Sequence, residues 1–155
     1  MMLTLRPARP ADLGAVEALL AAADLPRQGV ADHLPYFLVA EREGALVAAA
    51  GLELYGTSAL LRSVVVNENQ KGKGVGAELV QRLVERAGAD GLEALFLLTT
   101  TAADYFPRFG FVRIDRAALP PELHASEELR GACPASAVVM CRVMRRQPSP
   151  FVSGK

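Results

Sequence analysis

The sequence predicts an α/β fold: a single domain with a mixed central β-sheet flanked by helices. Three observations carry that prediction. Apolar, β-branched runs alternate along the chain with segments of helical period. Leu60 to Val66 is apolar apart from Arg62 and Ser63, which is the composition of a sheet interior. After a polar link and a glycine-rich loop, Leu79, Val80, Leu83, Val84 and Ala87 mark one face of a 3.6-residue helix.

The other elements follow in order. Residues 3–7 read as a first strand. A helix over 12–23 follows, with Asp12 at its start and Leu13, Val16, Leu19, Leu20 and Ala23 on its apolar side. The stretch DLPRQGVADHLP is a loop with one helical turn. Tyr36–Glu41 and Leu46–Leu54 form a hairpin that turns at Glu43 and Gly44. Ala94–Thr100 is the next central strand. A Pro-rich crossing, RAALPPEL, and a short helical turn lead to a last strand at Ala137–Met144. The domain is expected over 1–146, with 147–155 (QPSPFVSGK) as a flexible tail or expression remnant.

The loop before the long helix is the most telling segment. Gly72, Gly74 and Gly76 remove three side chains where backbone N–H groups and the positive end of the dipole are exposed. Such a start binds phosphate. A nucleotide P-loop would need Lys then Ser or Thr at this point, but Ala77 and Glu78 follow Gly76. A dinucleotide fold is a nearer rival, since Gly72, Gly74 and Ala77 fit G-x-G-x-x-A. That fingerprint follows its strand at once, however, and here Asn67 to Lys71 intervene. Glu93 also precedes the next strand instead of following it.

A strand, a polar link and K-G-K-G-V-G opening a helix resemble the pyrophosphate loop of the GNAT acyltransferases. In that family's R/Q-x-x-G-x-G/A motif, Lys71, Gly74 and Gly76 take the fixed places. Lys71 keeps a positive charge but loses the planar fork of Arg. L-R-P-A-R-P-A-D-L at the start also resembles the family, and TAADYFPRFGF (101–111) resembles its following helix with the Gly-Phe ending, which implies a helix there. The resemblance implies acetyl-coenzyme A as co-substrate. Val64, Val65 and Val66 would hold the pantetheine arm, Lys71 to Gly76 (with Gly72, Lys73, Gly74 and Val75) the pyrophosphate. Thr101, Phe106 and Arg108 would complete the cofactor side. It further implies a small-molecule amine acceptor, and a homodimer is common in the family. GLELYGTSALLRS, LLTTTAADYF and ACPASA resemble the branch named for arsenic-resistance N-acetyltransferases.

Acetyl transfer requires an amine to lose its proton, a thioester carbonyl to be polarised and a thiolate to leave. Val64 N–H is the expected polarising group, if the sheet splays there as it does in the family. Glu53, in the apolar strand AAAGLEL, is the expected base, its pKa raised by burial. Its alternative is a strand-end carboxylate that faces water or pairs with Arg62. Strand alternation puts Arg62 on the face of Val64 and Val66, where it would pair with Glu53 or a substrate oxyanion. Tyr55 and His33 are further acceptor-site candidates. Many members of the family carry Tyr four residues before the Gly-Phe, where this chain has Phe106, which cannot donate a proton. Tyr105 is one step away, about 100° round a helix. Tyr55, Ser63, Thr99–Thr101 or water are the remaining proton donors. A non-catalytic acyl-CoA sensor or partner-binding module is the alternative function that Phe106 brings into play.

Composition excludes several other classes. Lys plus Arg and Asp plus Glu are 17 each, so no basic field invites nucleic acid. No apolar run approaches the roughly 18 residues of a membrane span, and the start lacks a signal-peptide core, which makes a cytoplasmic chain the expectation. Cys133 and Cys141 form neither a disulfide framework nor a metal site.

Overall fold

Seven strands share one sheet in the order β1-β2-β3-β4-β5-β7-β6. The computed structural model describes residues 3–132 and 134–144, so the tail and Cys133 lie outside the described residues. β1 (Leu3–Pro7), β2 (Phe37–Arg42), β3 (Ala45–Tyr55) and β4 (Ser58–Val66) form an antiparallel meander. β5 (Ala94–Thr99) joins β4 in parallel, and β7 (Val138–Val143) joins β5 antiparallel. β6 (Val112–Ile114) pairs with β7 at the edge. The sequence reading lacked β6, which is too short and too exposed to show a pattern.

Three helices cover the sheet. α3 (Val75–Ala89) buries Leu79, Val80, Leu83, Val84 and Ala87, the face read from the sequence, against Ala48, Ala50, Leu52 and Leu61. On the opposite face α1 (Leu13–Ala22) and the short α2 (Val30–His33) bury Val16, Leu20 and Val30 against Phe37, Val39, Ala49 and Val65. The helix expected over 101–111 is absent. Thr99 Oγ1 accepts the Ala102 N–H at 2.9 Å, closing a turn, and Pro107 denies a longer helix one of its donors. Only a 3₁₀ turn at Phe106–Phe109 remains, ended by Gly110 at φ 89°.

Two irregularities shape the centre of the sheet. Val65 pairs with Ala49 and Arg62 with Gly51, so Ser63 and Val64 together oppose Ala50. This bulge holds Ser63 at φ 61°. It reverses the alternation: Leu61, Val64 and Val66 face α3, while Arg62 points to the other side. The expectation that Arg62 shares the face of Val64 and Val66 is therefore corrected, because an extra residue changes the parity of every side chain beyond it. Second, the β4–β5 ladder runs only from Ser58–Ala94 to Leu60–Phe96. Beyond it the two strands part, and Leu61 to Val66 have no ladder partner on the β5 side.

The entry to α1 is fixed by charge. Asp12 accepts two hydrogen bonds from Arg6, at 2.8 and 3.1 Å, and one from the Arg9 N–H at 2.7 Å. The Arg6 bonds chiefly, against the pull of burial and with help from Arg9, hold Asp12 down at about 2, from an ordinary 3.8. A carboxyl depressed in the fold stabilises above its unfolded pKa, and that contribution disappears as pH falls through the folded one. Asp12→Asn is therefore expected to melt earlier than the parent at pH 6, and to show a flatter dependence of Tm on pH between about 4 and 2. Gly51 supplies a second test. A Cβ there would stand 2.2 Å from the Phe37 ring. Gly51→Ala should cost about 1–3 kcal/mol in thermal or urea unfolding, the usual penalty of overpacking.

Candidate active site

The parting of β4 and β5 opens a cleft of about 1180 Å³. Leu61, Arg62, Ser63, Val64 and Val66 line one wall and Leu97 to Ala102 the other. Tyr105, Phe106 and Arg108 extend the second wall. The start of α3 closes one end; the α1–α2 loop and Glu128 close the other. An unpaired strand edge offers backbone N–H and C=O groups to an extended ligand that carries amides of its own.

At the α3 end, Gly72 and Gly74 have φ of 81° and 79°, a conformation that other residues adopt only with strain. A Cβ on either would meet nothing within 4 Å, so their absence leaves open approach to the backbone. Gly76 has a different reason. A Cβ there would stand 3.1 Å from Val66 Cγ2 and 3.7 Å from the Tyr105 hydroxyl. Glycine thus lets the start of α3 approach β4 and Tyr105 closely. Lys71 lines the cleft with an exposed ammonium 3.2 Å from Glu68 Oε1, an exposed pair that is easily exchanged. These residues fit a pyrophosphate: open backbone, a helix start and a nearby cation. Lys73 is exposed but does not line the cleft, and Val65 packs toward α1.

At the other end, Arg62 is the hub of a buried polar cluster. Its Nη1 donates to Glu53 Oε2 at 2.6 Å and to the Gln28 carbonyl at 2.6 Å; Nη2 donates to the Pro26 carbonyl at 3.1 Å. Its Nε donates to Ser63 Oγ at 2.8 Å and lies 3.4 Å from Glu128 Oε2. The pairing with Glu53 is present, and each of the three guanidinium nitrogens donates to a protein group. Tyr55 donates its hydroxyl to Glu53 Oε1 at 2.6 Å, and His33 Nε2 stands 3.7 Å from the same oxygen.

Glu53 behaves otherwise than burial alone predicts. Desolvation pushes its carboxyl up, but hydrogen bonds from Tyr55, Arg62 and Ser126, with the Arg62 charge, outweigh it. The carboxyl is held below its ordinary range, where burial alone predicted a raised value. It is fully buried, occupied on both oxygens, and absent from the cleft lining. Burial, and then the Glu53 bond, push the Tyr55 phenol up. Neither Tyr55 nor His33 lines the cleft; both stand behind Arg62.

On the second wall, Phe106 is buried among Tyr105, Phe109 and Phe111. Tyr105 brings a phenol to the cleft that helical geometry had turned away, because the segment is not a helix. Burial pushes that phenol up, with Arg108 opposing, and Arg108 stacks 4.3 Å over its ring. Thr101 is exposed on the rim. The sequence reading missed Tyr105 as a lining group, and it missed Ser126 and Glu128 altogether. Those two sit after the Pro-rich crossing, where no periodicity points inward. The one available signal was that a buried arginine requires anions around it.

Comparison with known proteins agrees with this geometry. The profile of the acetyltransferase (GNAT) family matches residues 5–111. An amino-acid acetyltransferase of Pseudomonas fluorescens (strain Pf0-1) is 38% identical over 87 residues, 55% of this chain and 20% of that protein. The chain thus spans about a fifth of the length of the curated relatives it matches. N-acetylglutamate synthase from Neisseria gonorrhoeae, complexed with coenzyme A and N-acetyl-glutamate, superposes with a TM-score of 0.79. That match has 21% identity and covers 94% of this chain and 36% of the other. A GNAT-family acetyltransferase from Staphylococcus aureus Mu50 superposes at 0.78 with 13% identity, covering 93% of this chain and 100% of that one. At such identities the superpositions establish the fold, and with the profile over residues 5–111 they show that this chain belongs to the acetyltransferase (GNAT) family.

Proposed function

We propose that the chain transfers an acetyl group from acetyl-coenzyme A to the amine of a small, amino-acid-like acceptor. The supporting observation is the continuity of the cleft. It runs from an open, glycine-lined helix start, along an unpaired strand edge, to a buried cluster of charge. An anionic head, an amide-bearing arm and a reactive end need that sequence of environments. Val64 N–H, on the bulged edge, is the group proposed to polarise the thioester carbonyl. The amine attacks directly in a ternary complex. The thiolate takes its proton from water or from Tyr105, the phenol on this wall where Phe106 has none.

The kinship with amino-acid acetyltransferases supports an amino-acid acceptor. Resemblance to the arsenic-resistance branch supports, more narrowly, an acidic amino-acid analogue that carries an oxyanion of arsenic. Calorimetric titration with acetyl-CoA, against NAD and ATP, tests the cofactor. Selective binding of acetyl-CoA is expected; a preference for NAD would overturn the reading. Gly74→Asp puts a carboxylate and a strained φ at the anion site and should weaken acetyl-CoA at least about tenfold, or 1.4 kcal/mol. Thiol release with the twenty amino acids and an arsenic-containing analogue then tests the acceptor. Turnover is expected, whereas binding without turnover of any amine would identify an acyl-CoA sensor instead.

A further inference from the structure

We propose that Glu128, and not Glu53, is the carboxylate that meets the acceptor amine and takes its proton. The assignment rests on the transferase function proposed above. It follows from the way one guanidinium is shared between two carboxylates, of which one lines the cleft and the other does not.

Arg62 contacts Glu53 through Nη1 at 2.6 Å and approaches Glu128 through Nε at 3.4 Å. Glu53 lies behind the cleft, with Arg62 on one oxygen and Tyr55 on the other. Glu128 lines the cleft with its side chain 5% exposed, beside Ser63 and Val64. The Nε near its carboxylate is the same atom that binds Ser63 Oγ at 2.8 Å. The Glu128 carboxylate is therefore within one guanidinium's reach of the residue before Val64, at the place where the thioester carbonyl would lie. Its turn is tied down as well. The Glu128 N–H donates to Ser126 Oγ at 3.2 Å, and Ser126 in turn helps to hold Glu53.

The lining of the cleft points the same way: Glu128 is on it and Glu53 is not. A carboxylate has about four lone-pair sites, so Glu128 can accept a further hydrogen bond whatever else it holds. Desolvation in the cleft meanwhile lowers the pKa of the amine, which eases the loss of its proton.

The step balances as follows. R–NH3⁺ gives one proton to the Glu128 carboxylate. The freed lone pair forms the C–N bond at the thioester carbon, and the C–S bond breaks with its electron pair on sulfur. The second amine proton goes to solvent, the thiolate is protonated, and Glu128 releases its proton to water.

The test uses the whole chain with acetyl-CoA and the best acceptor of the amino-acid panel, L-glutamate first. Glu128→Gln is expected to bind acetyl-CoA within twofold of the parent yet lose about 100-fold or more in kcat, the usual range for a lost general base. Its residual rate should rise about tenfold per pH unit between 7 and 9, as the free amine deprotonates in solution in place of the base. Arg62 of β4 faces Glu128, and the same guanidinium holds Glu53 of β3, which Tyr55 of β3 and His33 of α2 approach in turn. Glu53→Gln is expected to lower Tm while keeping the parent's pH dependence, since Glu53 does not touch the moving proton. Glu128→Asp retains a carboxylate and should recover much of the rate without the steep slope, even if Glu128→Gln fails to fold. Parent-like kcat and pH profile in Glu128→Gln would overturn the assignment. So would the steep slope in Glu53→Gln, or an Asp variant no better than the Gln one. A parent chain that binds acetyl-CoA but acetylates no amine would overturn the transferase reading itself, before any variant is made, and this assignment with it.

Discussion

One additional residue in β4 governs the centre of this molecule. In a regular strand Arg62, Val64 and Val66 would share a face, and that face is the one that packs on α3. A guanidinium there would lie against Leu79 and Leu83, with no anion to meet it. The bulge at Ser63 instead turns Arg62 to the side where Glu53, the α1–α2 loop and Glu128 stand. It also bends β4, as bulges do, just past the point where its ladder with β5 stops. The same irregularity thus accompanies both the opening of the cleft and the charge at its inner end.

The cluster round Arg62 is better understood as a tie between segments than as a store of stability. A buried ion pair gains little over well-packed apolar groups, though breaking it is expensive. What it adds is position. Through Arg62, the carbonyls of Pro26 and Gln28, the strand residue Glu53 and the turn at Glu128 are all referred to one planar group. Two of these segments are loops with no ladder of their own. Without a polar anchor, nothing in their sequence would hold them at this end of the cleft.

Regular elements were legible in the sequence because each repeats its signal. The face of α3 was read residue by residue, the meander followed from its alternating runs, and the glycine loop announced itself by position. The site was legible only where it is built from local motifs. Irregular features carry no period. A bulge differs from a strand by one residue, and Ser63 resembles any other serine until its φ of 61° is known. The helix expected over 101–111 failed for a nameable reason, Pro107, and that failure moved Tyr105 from the outside of a helix to the wall of the cleft. Glu128 is the extreme case: it reaches Arg62 across 66 positions of sequence, from a turn with no amphipathic pattern.

Glu53 shows why burial in a strand is an incomplete guide to chemistry. Burial alone raises a carboxyl pKa, and on that basis an acidic residue in AAAGLEL reads as a poised base. Burial together with an arginine and a phenol does the reverse. The partners that make a buried carboxylate tolerable are the same ones that remove its appetite for a proton. A base in this fold therefore has to sit where the cleft can reach it. Glu128, on the lining of the cleft, meets that condition. Glu53, at 2.6 Å from both Arg62 and Tyr55 and off that lining, does not.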